Sequence, residues 1–467
     1  MSPAPWNSVP EDKTLFTLVT GANSGIGFGI CQRLIDEFLS SRPRDAHLVV
    51  IPTTRSAKKS QETVQALRQY ARKSAEKSQT LRSHSSSNCS LRDTTRRIHI
   101  ASVQLDLCDL TTIKKAADQL INGTLSSPSE DDHFVSLVDV TIPRLDSAIF
   151  NAGIGGWTGL NWPGFLHNVL TAGIIQAFTF PTFKAGQAGL AVNPLRKVDE
   201  KAPQMGEVFC ANVFGHYLFA HEILPLISRP PTSTLPPGRI IWESSIEPTW
   251  KDFSLSDFQG VKTNAAYESS KRLTDVLVLT SSLSSVKPFS TPYLTIGGKE
   301  TLTPPKVYLS HPGVVVTSLF PLNAFLFFWY RLAMYLARFL GSPWHTVSTY
   351  LGAHAMVWLA LAQQEELDSL NAERVKWGSS TDRSGKVGQK MTEVEGWGWE
   401  GKVEDRKALE QDLGAWISRK LSGRKSDAVD LTEERLVEFE MLGRSCWREM
   451  ERLREEWGTR MNKACAR

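Results

Sequence analysis

An apolar run that breaks into a glycine-rich turn constrains the fold of this chain more than any other stretch. Residues 15–20 are apolar and β-branched, Gly21-Ala-Asn-Ser-Gly25-Ile-Gly27 follows, and apolar residues then recur at helical spacing. Glycines between a strand and a helix let the backbone approach a pyrophosphate, whose charge then lies at the helix N-terminus. The pattern therefore predicts a dinucleotide-binding turn, with an ordinary tight turn as the alternative.

Further apolar runs alternate with helical patterns along the chain. Strands are predicted at residues 47–51, 98–105, 145–150, 239–243 and 307–310. The runs are apolar throughout, which is typical of parallel strands buried on both faces. The sequence therefore predicts an α/β fold, a Rossmann-like doubly wound parallel sheet with helices on both faces, in a catalytic domain at residues 14–320.

Four segments stand apart from this alternation. Residues 74–95 are polar and are expected to form a mobile surface loop. Residues 154–203 form a glycine-punctuated apolar insertion, expected either to pack as a satellite core or to line an apolar site or touch lipid. Residues 363–467 are charged, and we expect a helical extension whose last, amphipathic helix packs on the body of the protein.

The fourth segment, residues 321–362, is strongly apolar but is interrupted by Arg331 and Arg338. A helix that lies in a membrane interface, with its arginines reaching headgroups, fits this pattern better than a spanning helix does. A buried helix pair over the substrate cleft, or a dimer contact, is the alternative.

Overall composition excludes several other classes of function. The formal net charge of +4 is small for 467 residues and gives no argument for a nucleic-acid partner. The six cysteines are scattered without metal-ligand spacing, so we expect reduced thiols, no metal site and a cytosol-facing protein. Residues 1–13 lack the pattern of a secretory signal.

Polar or small residues follow three of the predicted strands. Arg55 follows the second strand, where an acid would favour NAD and an arginine favours NADP, unless it is simply a solvated loop residue. Asp106 follows the third strand, where it can accept from an adenine amino group or cap its own loop. Asn151-Ala152-Gly153 follows the fourth, and its small residues let the backbone lie against a cofactor.

Tyr267 and Lys271 are four residues apart on a predicted helix and therefore share one face. An ammonium near a phenol is expected to lower the tyrosine pKa, so that the hydroxyl can exchange a proton near neutral pH. The spacing alone is weak, and a half-buried helix with a solvated lysine would produce it too. Ser244 and Ser245 end the strand that precedes this helix.

Taken together, these motifs resemble those of the short-chain dehydrogenase/reductase family, and the match covers about residues 14–320. The resemblance implies that Tyr267 is the general acid, that Lys271 holds the nicotinamide ribose and that Ser245, rather than Ser244, polarises the substrate oxygen. It also implies that Asn212 anchors a water connecting Lys271 to solvent. The residues it assigns to cofactor binding are Gly21, Asn23, Ser24, Gly25, Ile26, Gly27, Arg55, Asp106, Asn151, Ala152, Gly153, Tyr267, Lys271, Pro312, Gly313 and Thr317.

Other features resemble the fungal 3-keto-steroid reductases of sterol C-4 demethylation more closely. These features are the apolar insertion, the 22 positions from Ser245 to Tyr267 and the apolar segment near residue 330. The resemblance implies NADPH-dependent reduction of a 3-ketosterol on the cytosolic face of the endoplasmic reticulum membrane and lipid droplets. It implies partners among the other C-4 demethylation enzymes and oxidosqualene cyclase. The alternatives are reduction of another lipophilic ketone or retinal, and a non-catalytic membrane scaffold with the same fold.

Overall fold

A computed structural model describes residues 3–82, 90–296, 302–317, 324–410 and 420–465 of the chain. Its centre is a nine-stranded sheet. In chain order the strands are β1 (Thr14–Val19), β2 (His47–Thr54), β3 (Ile98–Ile100), β4 (Val103–Gln104), β5 (Ser147–Phe150), β6 (Arg239–Glu243), β7 (Lys306–His311), β8 (Lys376–Thr381) and β9 (Val387–Thr392). Across the sheet the order is β9-β8-β7-β6-β5-β1-β2-β3, with β4 also paired to β2. The β8–β9 pair is antiparallel, and the other pairs are parallel.

Helices cover both faces of this sheet. The longer ones are α1 (Gly25–Ser41), α2 (Ala57–Arg82), α3 (Leu110–Ile121), α4 (Trp162–Thr179), α5 (Gly215–Glu222), α6 (Ala266–Thr280), α7 (Lys287–Leu294), α8 (Ala324–Phe339), α9 (His354–Leu361) and α10 (Glu433–Cys465). Shorter helices are Leu91–Thr95, Glu207–Phe209, Leu224–Ile227, Thr349–Gly352, Gln364–Ser369 and Arg406–Glu410, and 3-10 turns are Glu11–Lys13, Trp250–Asp252, Leu255–Asp257 and Ala372–Arg374. Three small antiparallel sheets pair Leu125–Ser127 with Leu137–Val140, Trp157–Leu160 with Lys184–Gly186, and Ala191–Val192 with Met205–Gly206.

The sheet separates two hydrophobic cores. Consecutive strand residues face opposite sides, so Ile240 packs in one core and Ile241 in the other, and both are fully buried. Helices α1, α2 and α9 fill one side, and α3, α5, α6 and α10 fill the other. This arrangement explains why the strands predicted from the sequence are apolar runs, and it confirms the predicted doubly wound α/β fold.

Residues beyond 363 complete the sheet rather than form only a helical extension. Strands β8 and β9 lie in this region, so the sheet extends well past the predicted domain end at residue 320. The sequence of β8, Lys376-Trp-Gly-Ser-Ser-Thr381, lacks the apolar run that marks the other parallel strands. The packing expected of the last helix is confirmed, since Phe439 and Met450 are buried and Trp447 Nε1 donates to the carbonyl oxygen of Leu277 in α6 (2.9 Å).

The polar stretch at residues 74–95 contains helix rather than the loop that was expected. Helix α2 continues to Arg82, and Leu91–Thr95 is a second helix, while residues 83–89 lie outside the described part of the chain. Ala71 and Ala75 are buried in the core beside α1. Alanine, lysine, glutamine and arginine are all good helix formers, so low hydrophobicity did not prevent a helix here.

The apolar insertion and the apolar segment meet at the surface, where α4 contacts α8. Their outward-facing side chains are more than a third exposed at Trp162, Leu166, Leu170, Ile174, Phe325, Phe328, Trp329, Leu332, Tyr335, Leu336 and Phe339. Arg338 is buried instead of reaching outward as expected, and donates to the carbonyl oxygens of His345 (2.8 Å) and Thr346 (2.5 Å). Within residues 3–82, 90–296, 302–317, 324–410 and 420–465, no helix combines the length and apolarity that a membrane span requires.

Candidate active site

The glycine-rich turn and the Asn151-Ala152-Gly153 motif meet where the strand order reverses, at the carboxyl ends of β1 and β5. Thr20 Oγ1 accepts from the backbone N–H groups of Asn151 (2.9 Å) and Ala152 (3.0 Å). Asn151 Nδ2 donates to the carbonyl oxygen of Thr20 (2.9 Å). These bonds fix two of the predicted cofactor-binding segments against each other.

The turn has the shape that a pyrophosphate cradle requires. Gly21 has a positive φ of 66°, and a Cβ on Gly27 would lie 2.5 Å from both the Gly21 carbonyl oxygen and Asn151 Nδ2. Helix α1 begins at Gly25, so its N-terminal N–H groups open onto this turn. Asn23 and Ser24 are exposed and Ile26 is half-buried, so the residues present fit a bound dinucleotide.

Arg55 and Asp106 lie at the neighbouring strand ends. Arg55 is exposed directly after β2, and the N–H of Ala22 donates to the carbonyl oxygen of Thr53 (3.1 Å), so the end of β2 adjoins the glycine turn. The Asp106 carboxylate accepts from the N–H of Cys108 (3.0 Å), which is the loop-capping role left open by the sequence. It also lies 3.6 Å from the Arg196 guanidinium.

Pro312, Gly313 and Thr317 follow β7 on the same edge of the sheet. The Pro312 carbonyl oxygen accepts from Thr346 Oγ1 (2.9 Å), and the N–H of Gly313 donates to His311 Nδ1 (3.1 Å). Thr317 is half-buried at the end of the described segment 302–317.

Tyr267, Lys271 and Ser245 come together at the carboxyl end of β6. Tyr267 lies in the first turn of α6, and Lys271 Nζ lies 5.6 Å from the centre of its ring. Lys271 Nζ donates to the carbonyl oxygen of Glu243 (2.7 Å). The Ser245 hydroxyl lies within hydrogen-bonding reach of the Tyr267 phenol and acts to lower its pKa.

The two candidate serines face different partners. The Ser244 hydroxyl donates to Asp275 Oδ1 (2.5 Å), and its side chain is buried inside the fold. Ser245 lies beside Tyr267, and its Oγ accepts from the N–H of Glu247 (3.4 Å). Geometry therefore favours Ser245 as the serine that can share a substrate oxygen with the tyrosine.

Asn212 lies in a π-helical turn, Cys210–Phe214, between the short helix Glu207–Phe209 and α5. Its Oδ1 accepts from the N–H of Ile154 (2.8 Å), and its Nδ2 donates to the Ile154 carbonyl oxygen (3.0 Å) and to Ser270 Oγ (3.0 Å). Ser270 Oγ donates in turn to the backbone carbonyl oxygen of Tyr267 (2.7 Å). Asn212 thus ties the loop after β5 to the helix of the tyrosine. Single π-helical turns of this kind are frequent at functional sites.

The pKa of Tyr267 is raised well above its ordinary value, which contradicts the lowering expected from Lys271. Burial is the main cause, the Glu247 carboxylate is the next, and the hydrogen bond with Ser245 acts in the opposite direction. The spacing of Tyr267 and Lys271 in the sequence indicated a nearby ammonium. It did not indicate the carboxylates that the fold places close to the Tyr267 ring. A phenol in this setting holds its proton at neutral pH, which suits a proton donor.

Glu243 is a further charged residue of the site that the sequence did not single out. Its side chain is buried, and burial raises its pKa to about 8, while the Lys271 ammonium acts in the opposite direction. Its Oε2 atom has no hydrogen-bond partner within the described part of the chain. The sequence feature that could have identified Glu243 is its position, since it is a carboxylate at the end of the apolar run Arg239-Ile-Ile-Trp-Glu243.

Two residues of the insertion also reach the tyrosine. The ring centres of Trp157 and Tyr267 are 4.7 Å apart, and Lys184 Nζ lies 5.4 Å from the centre of the Tyr267 ring. No Asp, Glu, Lys or Arg lies between Asp146 and Lys184. A single lysine after such a long uncharged stretch was a signal that its side chain could be buried and paired.

Sequence relatives decide the family. No family model matches the chain. It is 48% identical over 461 residues to the 3-keto-steroid reductase ERG27 of Gibberella zeae, which covers 97% of this chain and 96% of the relative. The chain belongs to the 3-keto-steroid reductase family. The family includes the 3-keto-steroid reductase erg27 of Aspergillus fumigatus, 41% identical over 468 residues (96% of this chain and 95% of the relative). It also includes that of Schizosaccharomyces pombe, 29% identical over 385 residues (81% and 90%).

Solved structures give a weaker likeness. Salutaridine reductase from Papaver somniferum is 17% identical with a TM-score of 0.37, covering 75% of this chain and 96% of that one. A 3-oxoacyl-[acyl-carrier protein] reductase from Brucella melitensis is 13% identical with a TM-score of 0.37, covering 74% and 89%. Family membership rests on the sequence relatives alone. It confirms the predicted resemblance to the 3-keto-steroid reductases, and the protein is an oxidoreductase.

Proposed function

We propose that this protein reduces a 3-ketosterol to the 3β-hydroxysterol with NADPH, in the sterol C-4 demethylation that leads to ergosterol. The observation that carries the proposal is the placement of Ser245, Tyr267 and Lys271 at one strand end, in a chain 48% identical to a 3-keto-steroid reductase. NADPH supplies the hydride when it is bound.

Three side chains act on the substrate oxygen or support the group that does. Tyr267 donates its proton to the carbonyl oxygen as the carbon is reduced, and its raised pKa keeps that proton available. Ser245 donates a hydrogen bond to the same oxygen and stabilises the charge that develops there. Lys271 would hold the nicotinamide ribose of the bound cofactor, and Asn212 would anchor the water that replaces the proton.

The choice of NADPH over NADH rests on Arg55. Its guanidinium is exposed at the end of β2, beside the turn that fits the pyrophosphate. An arginine there can accommodate a 2′-phosphate, whereas NAD-binding relatives of this fold use an acid to hold the 2′-hydroxyl. Thr317 is proposed to bind the nicotinamide carboxamide.

The test compares the wild type with Tyr267→Phe in detergent, given NADPH and a 4-methyl 3-ketosterol. Loss of the acid is expected to lower kcat by about 10²–10⁴-fold. Tyr70→Phe is the matched control. It also removes a hydrogen-bonded phenol hydroxyl, which lies 2.6 Å from Asp36 and away from the site.

The substrate is tested by measuring NADPH oxidation with retinal and with a small ketone in parallel with the sterol. NADPH oxidation with the small ketone but not with the sterol would refute the steroid assignment in favour of another lipophilic ketone. Unchanged sterol reduction by Tyr267→Phe would refute the catalytic role.

We also propose that the outer faces of α4 and α8 rest on the cytosolic surface of the endoplasmic reticulum membrane and of lipid droplets. Their exposed aromatic and aliphatic side chains support this, because an interfacial helix buries such a face among acyl chains. Phe328→Glu should weaken flotation with liposomes. Met441→Glu, which changes a comparably exposed apolar residue on α10, should not. Equal flotation of wild type and Phe328→Glu would contradict the proposal.

The proposed partners are the other C-4 demethylation enzymes and oxidosqualene cyclase. Their support is family membership together with a substrate that dissolves in lipid. Affinity purification of the tagged protein from membranes should recover these enzymes, and recovery of none of them would contradict the proposal.

A further inference from the structure

Lys184 stands out among the charged groups outside the expected catalytic set. It begins the strand Lys184–Gly186 of the insertion, which pairs with Trp157–Leu160. Its side chain is only 5% exposed, and its ammonium group lies among aromatic rings and carboxylates rather than in water. A buried ammonium is costly unless it is paired, so its partners show what it does.

Those partners surround the catalytic tyrosine. Lys184 Nζ is ion-paired with Glu247 and lies 3.4 Å from Glu268 Oε1. It lies 4.2 Å from the centre of the Trp157 ring and 5.4 Å from that of Tyr267. The second distance is close to the 5.6 Å that separates Lys271 Nζ from the same ring. Two ammonium groups therefore flank the tyrosine, one from its own helix and one from the insertion.

The hairpin that carries Lys184 is also fixed to the start of the tyrosine's helix. The N–H of Ala188 donates to Asn264 Oδ1 (3.1 Å), and the rings of Trp157 and Tyr267 are in contact at 4.7 Å. Glu247 in turn donates its N–H to Ser245 Oγ (3.4 Å). A change at Lys184 thus reaches both hydroxyl groups of the site through neighbours in direct contact.

We propose that Lys184 is a positioning residue of the reaction, holding Trp157 against the Tyr267 ring and neutralising Glu247 and Glu268 beside it. The inference rests on the proposed function of Tyr267 as proton donor. Without Lys184, two carboxylates would face the tyrosine with Lys271 as the remaining ammonium.

The charged and titratable groups around the ring fix the sign of the effect. Glu268 and Lys271 come from α6, Glu243 from β6, Glu247 from the following loop and Lys184 from the insertion. Tyr330 on α8 adds a phenol, and its pKa is raised by burial and by Glu247. Because nearby carboxylates already raise the pKa of Tyr267, removing the ammonium that pairs with them should raise it further.

The test uses Lys184→Met, Lys184→Arg and the double variant Lys184→Met with Glu247→Gln. In Lys184→Met, sterol reduction at saturating substrate should fall by up to about tenfold, because a phenol whose pKa rises by about one unit is a weaker proton donor. The pH of half-maximal rate for oxidation of the 3β-alcohol with NADP⁺ should move upward. Lys184→Arg should recover most of the rate. The double variant should return the pH profile part of the way toward that of the wild type, because it also removes one of the two carboxylates left unpaired.

Lys306→Met is the matched control, since Lys306 also bridges two carboxylates, Asp368 (2.6 Å) and Glu373 (3.1 Å), at the opposite end of the sheet. It should leave the pH profile unchanged. A substrate-free measurement, the near-ultraviolet phenolate titration corrected with Tyr267→Phe, should show the same upward shift in Lys184→Met. If Lys184→Met does not fold, Lys184→Gln, which also removes the ammonium, carries the test through its pH profile. An active wild type together with an unchanged profile in the variant that removes the Lys184 charge would refute this role, whereas an inactive wild type would refute the proposed function instead.

Discussion

Replacing Lys376 by methionine should destabilise the whole catalytic domain, although the residue lies beyond the end of the domain that the sequence predicts. Lys376 Nζ on β8 lies 2.6 Å from Asp275 Oδ2 on α6, and the two side chains are 3% and 1% exposed. The other Asp275 oxygen accepts from Ser244 Oγ (2.5 Å). The substitution would leave a buried carboxylate next to the end of β6 with one hydroxyl as its partner.

Removing one partner of a buried ion pair costs about 3–5 kcal/mol. Against a typical net stability of about 5–15 kcal/mol, that is about a fifth or more of the total. With a urea dependence of about 3 kcal/mol per molar, the unfolding midpoint should fall by about 1 M or more. Urea titration followed by tryptophan fluorescence measures this shift, and activity should be lost over the same urea range.

Two further variants separate the ion pair from general damage. Lys376→Met with Asp275→Asn should recover much of the lost stability, because the uncompensated charge is gone. Lys306→Met, on the adjacent strand β7, breaks a more exposed ion pair with Asp368 and should cost at most about 1 kcal/mol. A free energy of unfolding for Lys376→Met within about 0.5 kcal/mol of the wild-type value would refute the conclusion that β8 is integral to the catalytic domain.

Three more outcomes follow from the site. Gly27→Ala places a methyl 2.5 Å from the Gly21 carbonyl oxygen and should weaken NADPH binding at least tenfold in a fluorescence titration, whereas unchanged binding would show that this turn is not the cofactor site. Arg55→Asp should lower kcat/KM with NADPH at least tenfold relative to NADH, and equal wild-type rates with the two cofactors would contradict the role of Arg55. Because burial raises the folded-state pKa of Glu243 from 4.5 to about 8, the wild type should lose stability as the pH rises through that window. Glu243→Gln should flatten this dependence in thermal unfolding at pH 5.5 and 8, and an equally steep loss in both proteins would count against the shift.

The parts of the fold that could be predicted from sequence are those encoded locally. The run of residues 15–20 followed by the glycine turn gives a strand, a turn and a helix within 27 residues, and the structure has them as β1 and α1. Strand β6 was predicted with the same bounds, Arg239–Glu243, because an apolar run ends there at two serines. Site residues at the ends of parallel strands were predictable for the same reason, since those ends meet at one edge of the sheet.

The parts that could not be predicted depend on contacts between distant segments. Strand β8 forms because it pairs with β7 and β9 and because Lys376 meets Asp275, 101 residues away. The raised pKa of Tyr267 comes first from burial and then from carboxylates on three elements. The local pattern Tyr267-x-x-x-Lys271 shows only one of these carboxylates, the intervening Glu268. Lys184 likewise reaches the site on a hairpin, in which Lys184–Gly186 pairs with Trp157–Leu160. No periodic pattern in the sequence indicates that these two segments pair.

The charges near Tyr267 explain why its proton is retained despite two neighbouring ammonium groups. Lys184 and Lys271 carry two positive charges, and Glu243, Glu247 and Glu268 carry three negative charges when all are ionised. Because the pKa of Glu243 is raised to about 8, Glu243 is mostly protonated at neutral pH and adds little negative charge beside the Tyr267 ring. Burial, which favours the uncharged phenol, then dominates, and ionisation of Glu243 at higher pH adds a negative charge that opposes the phenolate further. The site is thus arranged to keep the tyrosine protonated, which is the state required to reduce a ketone.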